Sequence, residues 1–182
     1  MELAGATRDF VLHWGEMGTR WGVNRTVAQV HALLYLSPEP LTAEEIAETL
    51  SVARSNVSNS LKELQNWKLA HFAHRMGDRH DYFQTSRDVW ELFMTVIEQR
   101  VEREIEPTLA VLHRCAAEAQ AGRAAQPETA ARIRSMTEFM QEMHDWYSEM
   151  KKLPPATLRS LLRTGAGITR LLPISRKKGP KP

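Results

Sequence analysis

Residues 41–85, LTAEEIAETLSVARSNVSNSLKELQNWKLAHFAHRMGDRHDYFQT, decide the fold. Thr42 followed by Glu45 fits a capping box, in which side chains at both positions satisfy orphan N–H groups at a helix start. Ile46 and Leu50 then form an i, i+4 apolar stripe, and Ala47 is small enough to let another helix cross close by. Ser51 falls where a turn must come, with Val52 able to pack inward beneath it. A second helix places Val57, Leu61 and Leu64 on one face at helical spacing. Its opposite face offers Ser55, Asn56, Ser58, Asn59 and Lys62, with Arg54 at its start. Residues 71–74 and 82–85 suit two short strands, with Met76-Gly77-Asp78-Arg79 as the tip. Gly77 and Asp78 fit the dihedrals of a tight turn there.

Capped helix, turn, polar helix and hairpin in this order spell a winged helix-turn-helix. Short polar side chains and a cation on the second helix are the types that hydrogen-bond base edges and phosphates in a major groove. Arg79 at the wing tip is placed for a phosphate or a minor groove. An isolated helix with these residues would read as an ordinary solvated face. The succession of elements is what turns the reading toward double-stranded DNA.

The motifs LSPEPLTAEEIAETL, ARSNVSNSLKELQNWKLA and GDRHDYF resemble the MarR superfamily of bacterial regulators, and more narrowly its GbsR-type branch. The likeness runs from about Phe10 to about Pro107. It implies a homodimeric winged-helix regulator, usually a repressor and often released by a small ligand. It also implies that Ser55, Asn56, Ser58, Asn59 and Lys62 lie on the recognition helix and Arg79 in the wing. Three positions depart from the pattern. Ala53 stands at the cap where Ser is common, a change that costs about 1 kcal/mol at a helix end. Lys68 replaces a customary Gly, and AHFAH fills a strand where relatives often carry arginines.

Outside this module the pattern is helical. Phe10, Trp14, Met17 and Trp21 make a narrow apolar seam on an N-terminal helix, and residues 27–36 form a second helix ended by Ser37-Pro38-Glu39-Pro40. A long helix starts at Ser86 or Asp88 and reaches Ile105, where Pro107 must kink or end it. Further helix runs to about Gln120, before a break at residues 122–127. From 128 to 152, Ile133, Met136, Met140, Met143, Tyr147 and Met150 recur at alternating spacings of three and four. That seam is too short for an isolated coiled coil but suits one element of a dimer interface, joined by the N-terminal seam. The expected class is mainly α with a small β-wing. The expected organisation is 1–26 as an N-terminal dimerisation helix, 27–87 as the winged DNA-binding domain, 88–153 as a C-terminal helical dimerisation region and 154–182 as a basic amphipathic tail.

Charge is distributed unevenly. Residues 42–85 carry five Lys/Arg against six Asp/Glu, while 154–182 carry seven Lys/Arg and no acid, within a net charge of +2. Bulk positive charge supplies most non-specific DNA affinity, so the winged module alone should bind weakly. Leu158, Leu161, Leu162, Ile168, Leu171 and Leu172 interleave with Arg159, Arg163 and Arg170, although Gly165 and Gly167 are expected to interrupt a single helix. No apolar run approaches the ~18 residues a membrane span requires, no signal peptide is evident, and one cysteine argues against a disulfide framework, so a cytoplasmic protein is expected.

Other chemistry finds little support. His71 and His74 would lie on opposite faces of a strand, and no cysteine or carboxylate set completes a metal site with them or His80. Cys115 and His113 do not share a helix face, so a buried inert thiol is expected. No phosphate loop, nucleophile elbow or carboxylate pair is present, so neither enzyme activity nor a cofactor is expected. Trp14, Trp21, Trp67, Trp90, Trp146 and Tyr147 supply enough aromatic surface for a cation–π box, making a choline-like effector one hypothesis. Two function classes remain: a dimeric repressor whose recognition helices enter successive major grooves of a palindromic operator, and a winged adaptor that binds protein instead.

Overall fold

The computed structural model describes residues 3–123 and 126–171. The chain divides into two compact units, residues 1–100 and 101–182, each described by itself.

The first unit is built on helix α2 (Arg25–Leu36), whose Val30 and Leu33 are fully buried. Asn24 caps it by accepting from the Thr26 N–H at 2.8 Å. Helix α1 (Gly5–Arg20) packs on it through Val11, Gly15 and Gly18. A Cβ at Gly18 would sit 2.4 Å from Ala28 Cβ, and one at Gly15 would sit 2.6 Å from Gln29 Cγ. Two absent side chains therefore let the helices approach closely, a device the aromatic spacing of α1 does not announce. Phe10, Trp14 and Trp21 form a row of ring contacts along α1, and Phe10 also stacks on Tyr35 of α2 with centroids 6.4 Å apart. Phe10 and Trp14 have ring centroids 5.3 Å apart, and Trp14 and Trp21 meet edge-on at 6.0 Å.

The capping box of α3 (Ala43–Leu50) forms as the sequence predicts. Glu45 N donates to Thr42 Oγ1 at 3.2 Å, and Thr42 N donates to Glu45 Oε2 at 2.7 Å. Ser51 turns the chain in the left-handed region at φ 53°, and Val52 packs against the core. Helix α4 (Arg54–Asn66) follows with no side-chain cap at Ala53, and buries Val57, Leu61 and Leu64 with Ile46 of α3. Its C-terminus closes in a Schellman motif: Leu69 N donates to Leu64 O at 2.8 Å and Lys68 N to Gln65 O at 2.9 Å. Lys68 thereby takes φ 56°, the conformation that a glycine adopts without strain.

The wing has one more strand than expected. Strands β1 (Leu41–Thr42), β2 (His71–Ala73) and β3 (Tyr82–Gln84) form an antiparallel sheet in the order β1-β3-β2. Leu41 pairs with Phe83 and Thr42 with Tyr82, so the residue that caps α3 also closes the sheet. The two hairpin strands each stop one residue short of the expected 71–74 and 82–85. Thr85 instead turns inward, 3.4 Å from the buried His31 Nε2.

Asp88 starts α5 (Val89–Arg100) by accepting from Trp90 N at 2.7 Å. A π-helical stretch, Val101–Ile105, leads into α6 (Glu106–Glu118). Pro107 was expected to kink or end a helix; the chain instead stays helical through it, and the π-helical stretch just before it is where the missing N–H is accommodated. In the second unit α6 and α7 (Pro127–Lys151) run antiparallel, burying Leu109 and Thr137. The turn between them contains Gly122 at φ 78°. His113 Nε2 lies 2.8 Å from Gln141 Oε1 across this pair. Helix α8 (Pro155–Leu171) continues through Gly165 and Gly167, where an interruption was expected. The remainder of the basic tail, with Arg176, Lys177, Lys178 and Lys181, lies outside the described residues.

Candidate nucleic-acid interface

Burying Val57, Ser60, Leu61 and Leu64 fixes the rotation of α4. The other side of the helix then presents Arg54, Ser55, Asn56, Asn59 and Lys62 to solvent, with Ser58 half-buried. All six polar residues expected on the recognition face therefore share one surface. Ser60, between them in sequence, donates to Asn56 O at 2.8 Å and belongs to the inner side.

The cations on this surface differ in their neighbours. Arg54 Nε is 2.5 Å from Glu44 Oε1, an exposed ion pair joining the starts of α4 and α3. The Glu44 carboxyl is held below its usual range, first by a hydrogen bond from its own backbone N–H and then by Arg54. Lys62 and Arg79 have no ion-pair partner among the described residues and are exposed.

At the wing the chain reverses through a turn closed by Asp78 N to Arg75 O at 3.2 Å, with Gly77 at φ 81°. Asp78 then holds the second limb. Its Oδ2 accepts from the Tyr82 hydroxyl at 2.7 Å, and its Oδ1 accepts from His80 N at 3.0 Å and lies 2.6 Å from His80 Nδ1. The Tyr82 hydroxyl bond, followed by the His80 bonds, keeps the Asp78 carboxyl far below the usual carboxylate range. Asp78 in turn pushes His80 up from its ordinary value. Arg75 carries no signal in the sequence; its guanidinium lies 4.3 Å from the Tyr82 ring centroid and 3.4 Å from Glu39 Oε2. Only the tertiary fold, which brings Glu39 beside the hairpin, shows this.

The expected dimer seams resolve into distinct faces. On α1, Phe10, Trp14 and Met17 are half-buried and Trp21 is 53% exposed. On α7, Ile133, Met140, Tyr147 and Met150 are half-buried, while Met136 and Met143 are exposed. Phe139 and Trp146, 56% and 59% exposed, stand beside Met136 and Met143 at spacings of three and four. Heptads run through the methionines pass over these two rings, although their spacing is visible in the sequence.

The first unit also holds a cavity of about 580 Å³ walled by Trp14, Trp21, Trp67 and Phe93, with His31 at its lining and Arg100 at its rim. Arg100 Nη2 donates to Trp21 O at 2.9 Å, and its guanidinium lies 5.9 Å from the Trp67 ring centroid. Burial pushes His31 down from 6.5 to about 4, so it is neutral at ordinary pH.

A capped helix, a left-handed turn, an outward polar helix and a three-stranded wing together define a winged helix-turn-helix protein. Residues 21–79 match the family model described as MarR family. The chain is 18% identical over 135 residues to YvaV of Bacillus subtilis (strain 168), named as a putative HTH-type transcriptional regulator, covering 73% of this chain and 76% of that protein. It is 23% identical over 100 residues to the HTH-type transcriptional repressor GbsR of the same organism, covering 55% of each. A crystal structure of a transcriptional regulator superposes with a TM-score of 0.65 at 20% identity, over 80% of this chain and 95% of that one. Among the described residues, no helix is long and apolar enough to cross a membrane.

Proposed function

We propose that this DNA-binding transcription regulator works as a homodimeric repressor. The exposed face of α4 carries the reading, with Ser55, Asn56, Ser58 and Asn59 offering donors and acceptors to base edges and Lys62 reaching a phosphate. Arg79 in the wing supplies a second backbone contact. Two copies present two such helices, and half-sites then fall about 10 bp apart on a palindromic operator. The exposed Trp21 end of the half-buried α1 row and the Met136–Trp146 strip of α7 supply apolar surface for the dimer contact.

Effector control fits the tryptophan-walled cavity. A ligand there touches α1, α2, α4 and α5 together, so it can shift α4 relative to the helices flanking it. The rings and Glu63 suit a quaternary ammonium, while Arg20 and Arg100 on the same lining suit an acidic group. A ligand with an apolar or cationic body and an acidic end matches both.

Binding to DNA upstream of the protein's own gene, measured at two salt concentrations against excess random DNA, tests the reading. Asn59→Ala should lose about 1–3 kcal/mol of preference for the operator. Arg79→Ala should weaken all DNA alike and flatten the salt dependence by about one ion. A folded dimer whose complexes are non-selective and vanish with salt would favour the adaptor instead, consistent with the module's five cations against six acids.

A further inference from the structure

Helix α8 has a composition that neither the recognition surface nor the helix pair of the second unit uses. Leu158, Leu161 and Leu162 fall on one side of the helix, while Arg159 and Arg163 occupy the adjoining side. Leu161 and Leu162 are 46% and 63% exposed, and among the described residues α8 builds no extended packing face with α6 or α7. The sequence continues the pattern with Ile168, Arg170 and Leu172, and residues 154–182 contain seven cations and no acid.

We propose that α8 is an interfacial helix that lies on an anionic lipid surface. Exposed leucines beside arginines on a short helix are the composition that settles at the boundary between headgroups and acyl chains, leucines inward and guanidinium groups on phosphates. A DNA backbone would use the arginines but leave the leucines facing water. A protein groove would use the leucines, yet the absence of any acid across the whole segment matches a partner that is uniformly negative. An anionic bilayer satisfies both halves of the helix at once, with each nearby cation adding electrostatic attraction that salt screens.

Flotation of the full-length protein with vesicles of equal parts phosphatidylglycerol and phosphatidylcholine, or of phosphatidylcholine alone, tests this. The protein should float with the anionic vesicles and remain below with the neutral ones. Leu161→Asp/Leu162→Asp should lower the bound fraction about tenfold, and Arg159→Gln/Arg163→Gln should lower it and remove most of its salt dependence. Circular dichroism and light scattering on each variant check that fold and oligomeric mass are kept. Absence of flotation with anionic vesicles overturns the proposal, as does equal flotation with both vesicle types. If the leucine variant changes oligomeric mass and vesicles never bind, a second copy of the chain occupies α8. If the arginine variant loses DNA affinity and vesicles never bind, the helix braces flanking DNA.

Discussion

The Arg54 guanidinium meets the Glu44 carboxylate at 2.5 Å, tying the first residue of α4 to the first turn of α3. Both side chains are well exposed, so the pair contributes little stability, within about 1 kcal/mol. Its consequence is electrostatic. The acid stands beside the surface proposed to meet DNA and occupies a guanidinium that would be open to phosphate on that reading. Glu44→Gln should tighten DNA binding at low salt and steepen the plot of log affinity against log salt by about one unit. Fluorescence anisotropy over a salt series reads both. An unchanged slope would show that Arg54 keeps away from the backbone.

Lys68 leads to a stability prediction of a different kind. It occupies the left-handed position of a Schellman motif at φ 56°, where an L side chain costs about 1–2 kcal/mol and glycine nothing. Glycine also gains freedom in the unfolded chain, which offsets part of the benefit. Lys68→Gly should therefore stabilise the protein by roughly 0.5–1 kcal/mol, seen as a higher midpoint in urea at unchanged slope. A lower midpoint would mean that contacts of the lysine side chain outweigh the backbone strain.

That strain is legible in the sequence, because Lys68 stands where the family it resembles carries glycine. The capping box of Thr42 and Glu45, the Ser51 turn and the outward face of α4 are legible too, since each rests on residues within about one helical turn of each other. Contacts between distant residues are not. The Arg54–Glu44 pair spans ten positions, Arg75 and Glu39 are 36 apart, and the Thr85–His31 contact is 54 apart. Strand β1 is hidden because Leu41 and Thr42 already have a local reading as the entry to α3. Gly15 and Gly18 are hidden because a close helix crossing is announced by what is missing, while the aromatic residues around them dominate the pattern. Along α7 the six-residue seam mixes two faces, the methionines and half-buried residues sharing a heptad pattern that the real strip crosses.

His31 makes the first unit sensitive to acid. Its ring is buried and titrates near 4, against 6.5 in the unfolded chain. Between those values the unfolded state binds the proton and the folded state does not, so stability is complete above about pH 6.5 and falls as the pH drops toward 4. A displacement of this size corresponds to at most about 3 kcal/mol. Urea unfolding at pH 7, 5.5 and 4.5 should show the decline, and His31→Leu should remove most of it. An equal decline in the variant would place the acid sensitivity in other groups.

The wing carries a second pH dependence, of DNA affinity rather than of stability. Asp78 accepts from the Tyr82 hydroxyl and from His80, and it raises His80 above its ordinary value of 6.5. His80 therefore gains its charge at a higher pH than an ordinary histidine does, one residue along the chain from Arg79. Because the imidazole is exposed, its positive charge adds to the field that phosphate meets at the wing tip. Affinity for DNA should rise modestly as the pH is lowered and His80 takes up its proton. Asp78→Asn takes away the negative charge that favours protonation, while its one amide oxygen can still accept from the backbone N–H of His80 and its NH2 can donate to the Tyr82 hydroxyl. The variant should keep its wing but shift the affinity change to lower pH, toward the range of an ordinary histidine. Parallel anisotropy titrations between pH 5.5 and 8.5, with NMR of the His80 ring as the direct reading, separate this from a general loosening of the hairpin. Loosening lowers affinity at every pH, whereas loss of the Asp78 charge moves the midpoint.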